Sequence, residues 1–443
     1  MHSEIIGKDL FRAIKENHGA NMNIFISEKV TPVAGDIDLE NFGVLNSDLF
    51  KEMWEQVDVI VNSAAATNFD ERYDMAFSTN TLGAKHVSYF VNQCINIKLL
   101  LHVSTAFVSG EQSGVILETP LKMNETLNGK NNLDIKEEMK VIQERRRLLA
   151  DKKANEEAIS ADMKEFGIQR AKLHGWPNTY VFTKAMGEML LFDGLRQDVS
   201  LVIVRPTIIT STYKEPFPGW IEGVKTIDGI IATYGRGRVS CLLAELSKVL
   251  DVIPADMVIN AMIVGMVAHT KQPYSKIIYH VGSSTTNPMK VSSFKNYIFQ
   301  RYMTVRYIMP LKGVKYINII LFRAFNAWYL DADRKIKIML RLADLYKPYV
   351  LINIIYDDAN LKTLHGALRE CKKAEKEMFY FDVKSVNWED YFKNIHIPGL
   401  VKYALRVEGK GPKHGSVDLE TSSLYLEDGT GKMQSQVLSD SSL

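Results

Sequence analysis

The chain has 443 residues, 46% of them hydrophobic, which is enough to bury a sizeable core and to hold more than one folded unit. Its 54 basic and 52 acidic residues leave a formal net charge of +2, so no basic field is available and nucleic acid is not an expected partner. The three cysteines, Cys94, Cys241 and Cys371, form no CxxC pair, which argues against a disulfide framework or a zinc site.

The opening residues lack a charged segment followed by an apolar run, so they do not read as a secretory signal. They read as an amphipathic helix with Ile5, Ile6, Leu10, Phe11 and Ile14 on one face. A chain that opens on a core-packing helix suggests that sequence precedes it. Lys29–Ile37 (KVTPVAGDI) then reads as a strand with a Gly-Asp exit, and a charged helical stretch runs to about Gln56. A short β-branched run over residues 57–61 delivers the small-residue loop Asn62–Ala66 (NSAAA). Helical spacing over Asn80–Cys94 is followed by the apolar strand Leu99–Ser104. The charge-dense residues 130–172 read as a solvated helical insertion, with a basic membrane-facing patch as the weaker reading. A helix over Tyr180–Leu191 and a buried strand over Val199–Pro206 complete an alternation that argues a parallel α/β sheet covered on both faces.

Past about residue 285 the rhythm becomes helical, as in Asp331–Tyr346, and beyond Arg406 the chain turns polar and rich in Gly, Ser and Asp. The expected organisation is therefore a doubly wound Rossmann-like domain at 1–285, a mostly helical domain at 286–405 and a disordered tail at 406–443. The longest apolar run, near Tyr316–Arg323, is about half of a membrane span.

The sharpest chemical signal is Tyr180 with Lys184. On a helix this i, i+4 spacing puts both side chains on one face, where an ammonium favours tyrosinate and lowers the phenol's pKa. Such a phenol can give a proton to a carbonyl oxygen as hydride reaches the carbon. Tyr380 and Lys384 share the spacing, but lie in the helical C-terminal part without strand ends around them, so they read as structural. Ser104 and Thr105 end a parallel strand, where open α/β sheets bind ligands, and can hydrogen-bond the same substrate oxygen. A cap for the next turn explains that pair equally well. Ala64, Ala65 and Ala66 allow a flat ligand to approach closely, or simply permit tight helix packing. Asp36 can accept from an adenine amino group, or serve as an ordinary turn aspartate.

Taken in order, these pieces resemble an extended short-chain dehydrogenase/reductase. The matching residues are Gly35–Ile37, Asn62–Ala66, Asn80–Ala84 (NTLGA), His102–Gly110 (HVSTAFVSG), Tyr180–Lys184 (YVFTK) and Val204–Ile209 (VRPTII). Pro216–Gly223 (PFPGWIEG), Tyr356–Asn360 (YDDAN) and Val386–Tyr403 resemble more narrowly the plant-type alcohol-forming fatty acyl-CoA reductases. That resemblance implies reduction of a long-chain acyl-CoA to a primary alcohol through an aldehyde, using NADPH twice. It makes Tyr180 the proton donor, with Lys184 tuning it and holding the cofactor ribose. It gives Thr105, ahead of Ser104, the substrate carbonyl. Asp36, Ile37, Ala64–Ala66 and Asn80 would border the adenosine half of NADPH, and Pro206 with Thr207 the nicotinamide half. It also implies work at the cytosolic face of the endoplasmic reticulum, with peripheral membrane association, or in a plastid if a leader preceded Met1.

One departure stands out: no GxGxxG or GxxGxxG follows a strand near the start. The family's first strand, which lies centrally in such a sheet, has no counterpart, so the strand near residues 57–61 is expected to be an unpaired edge. Each unpaired buried backbone group costs about 1–3 kcal/mol, and the pyrophosphate would lack a helix N-terminus. The expectations are therefore an incomplete form of an active reductase with weak NADPH binding, or an inactive form acting through protein association. A sugar-nucleotide epimerase would share Tyr180 and Lys184.

Overall fold

The computed structural model describes residues 5–130, 132–236, 244–270, 274–302, 340, 344, 346, 347, 349, 351–368, 372–406, 423–427 and 433–437. At its centre is a parallel sheet whose strands are mostly apolar, with polar residues mainly at or next to their ends. Four strands form it, β1 (Val59–Asn62), β2 (Leu99–Val103), β4 (Ser200–Pro206) and β7 (Lys276–Val281), in that spatial order. Every pairing is parallel, with Asn62 opposite His102, Val103 opposite Val204 and Val204 opposite Tyr279. Parallel strands need crossovers, and the helices that supply them cover both faces.

Alternation along each strand divides the core in two. Leu99, Leu101, Val202 and Val204 face one layer, built from α9 (Thr226–Gly235), α10 (Ala255–Thr270) and α11 (Val291–Tyr302). Leu100, Leu201, Ile203 and Ile278 face the other, with α3 (Ser47–Gln56) and α5 (Gly83–Gln93). The first layer continues past residue 285 without a break: Leu361 and Leu364 of α12 (Ala359–Leu368), Trp388, Tyr391 and Leu400 join the same cluster. A short parallel pair, β3 (Gly114–Ile116) with β8 (Ile354–Tyr356), also ties the later region to the earlier one.

Two expectations are corrected. Lys29 ends α2 and Ile37 lies in a turn, and residues 30–36 between them belong to no strand, because no described segment offers them a ladder; the Asp36 N–H instead donates to the Phe42 carbonyl at 2.8 Å. The charge-dense insertion is only partly a solvated face. Its helices α6 (Ile135–Asp151) and α7 (Glu156–Leu173) bury Ile142, Leu149 and Met163 together with an ionic cluster on Glu138. Within the expected 406–443 tail, the described residues include the antiparallel pair β9 (Ser423–Glu427) and β10 (Met433–Val437).

Among the described residues, β1 is the edge of the sheet, and Val61 on it is 44% exposed. The opening segment forms α1 (Arg12–His18) and packs through Ile6, Phe11 and Ile14 on Met22 and Ile26 of α2 (Met22–Lys29). No helix of the described residues is long and apolar enough to cross a membrane. The expected helix at Asp331–Tyr346 and the apolar run near Tyr316 lie almost wholly outside the described residues.

Candidate active site

The carboxyl ends of β1, β2 and β4 lie side by side, and α8 (Thr179–Gly194) is tied to β2 and β4 through Lys184 and Glu188. Asn178 caps this helix, its side-chain oxygen accepting from the Val181 N–H at 3.1 Å. The helix is buried on nearly every face, and Gly187 lets it press on the separate helical turn that carries Asn80: a Cβ there would sit 2.4 Å from the Asn80 carbonyl oxygen. Close packing of this kind fixes where the side chains of the first two turns point.

Lys184 is 2% exposed and donates through Nζ to the Val103 carbonyl at 2.7 Å, at the end of β2. Burial pulls its pKa down to about 8, against the attraction of Glu188 one turn along. Tyr180 is half-buried and stacks on Phe69, with ring centroids 5.5 Å apart. Burial pushes its phenol up to about 12, and a hydrogen bond with the Thr105 side chain acts in the opposite direction. The expectation that Lys184 lowers the Tyr180 pKa is thus corrected for this state. The ammonium is committed to a backbone carbonyl, so desolvation of the phenol dominates.

The hydroxyl pair divides. Thr105 caps the next turn, its Oγ1 accepting from the Phe107 N–H at 3.3 Å, and its side chain also meets Tyr180. Ser104 is buried with an Oγ that has no hydrogen-bond partner among the described residues.

Asn80 secures the small-residue loop. Its Oδ1 accepts from the Ala66 N–H, and its Nδ2 donates to the Ala66 carbonyl and to Thr183 Oγ1 on α8, all at 3.0 Å. Ala64 is left exposed, with Ala65 and Ala66 half-buried. Pro206 and Thr207 border the end of β4, where the Thr207 hydroxyl donates to Asp251 Oδ1 at 2.9 Å. Asp36 and Ile37 stand apart from the Tyr180 cluster. Asp36 is exposed and accepts from the Asp38 N–H at 2.9 Å, while Ile37 packs on α5 at Gly83. Tyr380 lies elsewhere, with the Lys214 ammonium 4.1 Å above its ring.

Three groups beside Tyr180 were not singled out from the sequence. His102 is buried on β2 with Nδ1 3.1 Å from Asn62 Nδ2, and burial together with the Lys184 charge holds its pKa well below the ordinary value. Arg205 on β4 makes a buried ion pair with Glu188, Nε to Oε1 at 3.0 Å. Phe69 stacks on Tyr180, and Tyr346, Tyr349 and Phe107 extend the cluster from it. The first two had a signal, a lone histidine in an apolar strand and a glutamate at i+4 from the lysine. The last is a long-range contact with no local pattern.

The residues present fit the nicotinamide and ribose end of a dinucleotide. A buried ammonium and phenol sit together there, and the buried Ser104 Oγ and Asn62 Oδ1 have no partner among the described residues. No strand of the described residues runs into a glycine-rich turn that opens a helix, so no pyrophosphate cradle of that kind accompanies it. No group of three or more His, Cys, Asp or Glu side chains among the described residues could hold a metal ion.

The sequence matches two family models described as male sterility protein, an NAD-binding one over residues 1–262 and a second over residues 306–407. It is 47% identical over 440 residues to the probable fatty acyl-CoA reductase 4 of Arabidopsis thaliana, covering 91% of this chain and 88% of that protein. It is 46% identical over 436 residues to the alcohol-forming fatty acyl-CoA reductase of Simmondsia chinensis, with the same coverages of 91% and 88%. Among solved structures it is similar to the terminal R domain from the myxalamid PKS-NRPS biosynthetic pathway, at TM-score 0.47 and 17% identity over 85% of this chain and 80% of that one.

Proposed function

Since the chain belongs to the fatty acyl-CoA reductase family, a group of nicotinamide-dependent fatty acyl reductases, we propose that it converts long-chain acyl-CoA to primary alcohol with NADPH, by way of an aldehyde. The observation that carries this reading is the placement of Tyr180 and Lys184 at the carboxyl ends of β1 and β2, beside the hydroxyls of Ser104 and Thr105. The sugar-nucleotide epimerase alternative shares the Tyr-Lys pair, but 47% identity over 440 residues ties this chain to the acyl-CoA reductases.

NADPH, when bound, supplies the hydride for each of two reductions. Lys184 would hold its nicotinamide ribose, and the Asn80-pinned Ala64–Ala66 loop would border its adenosine half. In the first reduction the thioester carbonyl carbon gains hydride while Tyr180 gives its phenolic proton to the oxygen, yielding a hemithioacetal. Thr105, already beside the phenol, orients that oxygen and steadies its developing charge. The hemithioacetal then loses its hydroxyl proton as the C–S bond breaks, which releases CoA as the thiol and leaves the aldehyde. A second hydride and a second Tyr180 proton give the alcohol. Between steps the phenolate is reprotonated, and a phenol with a pKa of about 12 returns to its acid form readily at neutral pH.

The substrate is an amphiphile and the product an apolar alcohol, which supports work at a membrane surface, here proposed as the cytosolic face of the endoplasmic reticulum. Cell fractionation followed by carbonate extraction tests this: a peripheral protein leaves the microsomal pellet, and recovery only in the soluble fraction contradicts it. The activity itself is tested by supplying purified chain with a long-chain acyl-CoA and saturating NADPH. Primary alcohol with two NADPH consumed per molecule is expected. A fatty acid or free aldehyde as sole product would refute the alcohol-forming reading.

A further inference from the structure

Four aromatic rings from three distant parts of the chain form one connected cluster, and Phe69 joins it to the phenol that the mechanism uses. Phe69, on the loop leaving β1, stacks on Tyr180 at 5.5 Å with an interplanar angle of 20°. On its other sides Phe69 meets Tyr346 at 5.8 Å and Tyr349 at 5.5 Å. Tyr349 also meets Phe107, in the turn after β2, edge-on at 4.9 Å. Phe107 in turn abuts Tyr356 at the end of β8. The rings thus link the segments that follow β1 and β2 to the C-terminal region.

One hydrogen bond fixes this arrangement to the catalytic helix. Asn178 is fully buried and uses its two side-chain atoms for different partners. Its oxygen caps α8 at Val181, and its nitrogen donates to the Tyr349 hydroxyl at 2.6 Å. The residue that sets the first turn of the Tyr180 helix therefore also sets the position of Tyr349. Burial holds the Tyr349 phenol well above its ordinary pKa, so it stays neutral and adds no charge to the wall.

We propose that the C-terminal region completes the reductase site, with Tyr349, Phe69 and Phe107 forming an aromatic wall that packs on the first methylenes next to the reacting carbonyl and retains the aldehyde between the two reductions. This rests on the alcohol-forming reading above. An aldehyde freed from CoA has lost its polar anchor, and only contacts to its carbonyl end and chain keep it in place. Burial of one methylene against such faces changes partitioning about fourfold, so removing one ring that covers one or two methylenes should raise escape by about fourfold to fifteenfold. Tyr349 is on this account a specificity and positioning residue, not a proton donor.

The test compares the wild-type chain with Tyr349→Leu, Tyr349→Phe and Phe69→Leu, each given a long-chain acyl-CoA and saturating NADPH. Free aldehyde and alcohol are separated and quantified. The expected result is an aldehyde-to-alcohol ratio raised about fivefold or more in Tyr349→Leu and Phe69→Leu, with an unchanged circular dichroism melt. Tyr349→Phe, which keeps the ring, should stay near wild type in this ratio. A purely structural role would lower total turnover without moving the ratio, and that outcome would overturn the proposal. If Tyr349→Leu does not fold, Phe69→Leu decides alone, since Phe69 makes its contacts from a loop. A wild-type chain that makes no alcohol would sink the functional reading itself, whereas alcohol formation with an unmoved ratio in both leucine variants would sink only the wall.

Discussion

Glu188 lies one helical turn beyond Lys184 and is locked to Arg205 on β4, with Nε 3.0 Å from Oε1 and both side chains fully buried. The pair is more than a staple between helix and sheet. Its carboxylate is the one charge that opposes burial at Lys184, while His102 on β2 is neutral and Tyr180 is protonated. Glu188→Gln is therefore expected to move the Lys184 pKa below about 8. If the ammonium is the working form, activity falls as pH rises through that value, so the alkaline limb of kcat/KM should shift to lower pH in the variant. The variant also leaves Arg205 buried and unpaired, which costs about 3–5 kcal/mol, so the pH profile is best measured well below the melting temperature. An unmoved limb would contradict the coupling.

Tyr180→Phe removes the proton donor and little else, because the ring stack on Phe69 survives. Turnover should drop about 100-fold to 10,000-fold, with the melting temperature and the NADPH titration close to wild type. Retained activity would place the acid elsewhere. Tyr380→Phe serves as the control and should leave turnover unchanged.

Glu138 organises the helical insertion. It is 1% exposed, accepts from the Tyr73 hydroxyl at 2.7 Å and from Arg170 Nε at 3.0 Å, and lies 3.0 Å from His174 Nε2. Burial alone would raise its pKa, but His174, Arg170 and Tyr73 together hold it at about 2. A folded-state pKa below the unfolded value means stability that is complete above about 4.5 and is lost as pH falls toward 2. The magnitude is on the order of 3 kcal/mol. Glu138→Gln should thus flatten the stability loss between pH 5 and 3, read by denaturant melts at several pH values (about one pH unit apart). A slope equal to wild type would show that other carboxylates drive acid unfolding.

Gly187→Ala tests the packing that holds α8. The added Cβ would meet the Asn80 carbonyl oxygen at 2.4 Å and Ala84 Cβ at 3.3 Å. Overpacking of this kind costs about 1–3 kcal/mol. Because Asn80 also pins the Ala66 loop, NADPH affinity should weaken along with the melt. A stability loss with unchanged affinity would separate the loop from the helix contact.

Much of the sheet was legible because parallel strands buried on both faces leave near-continuous apolar runs, as at residues 99–101 and 201–204. Lys29–Ile37 misled for the complementary reason: alternation marks a segment able to be a strand, but only a neighbouring ladder makes it one, and β1 does not pair with it. The Tyr180–Lys184 spacing was visible because a helix converts i, i+4 into one face. Its electrostatics were not, since they depend on Lys184 meeting the Val103 carbonyl and on burial that no local pattern reports. Glu138 looked like one carboxylate in a charge-dense stretch; its burial depends on Tyr73, Arg170 and His174 arriving together from other turns. The ring contacts of Tyr349 span more than 240 positions to Phe107 and have no sequence signature at all.

The most direct test is a paired product analysis of the wild-type chain and Tyr180→Phe, each verified as folded and given the same long-chain acyl-CoA with saturating NADPH. The account predicts primary alcohol from the wild type, with two NADPH oxidised per alcohol, and loss of both aldehyde and alcohol in the variant. Equal alcohol from the two proteins would contradict it, because the proton would then come from a group other than Tyr180.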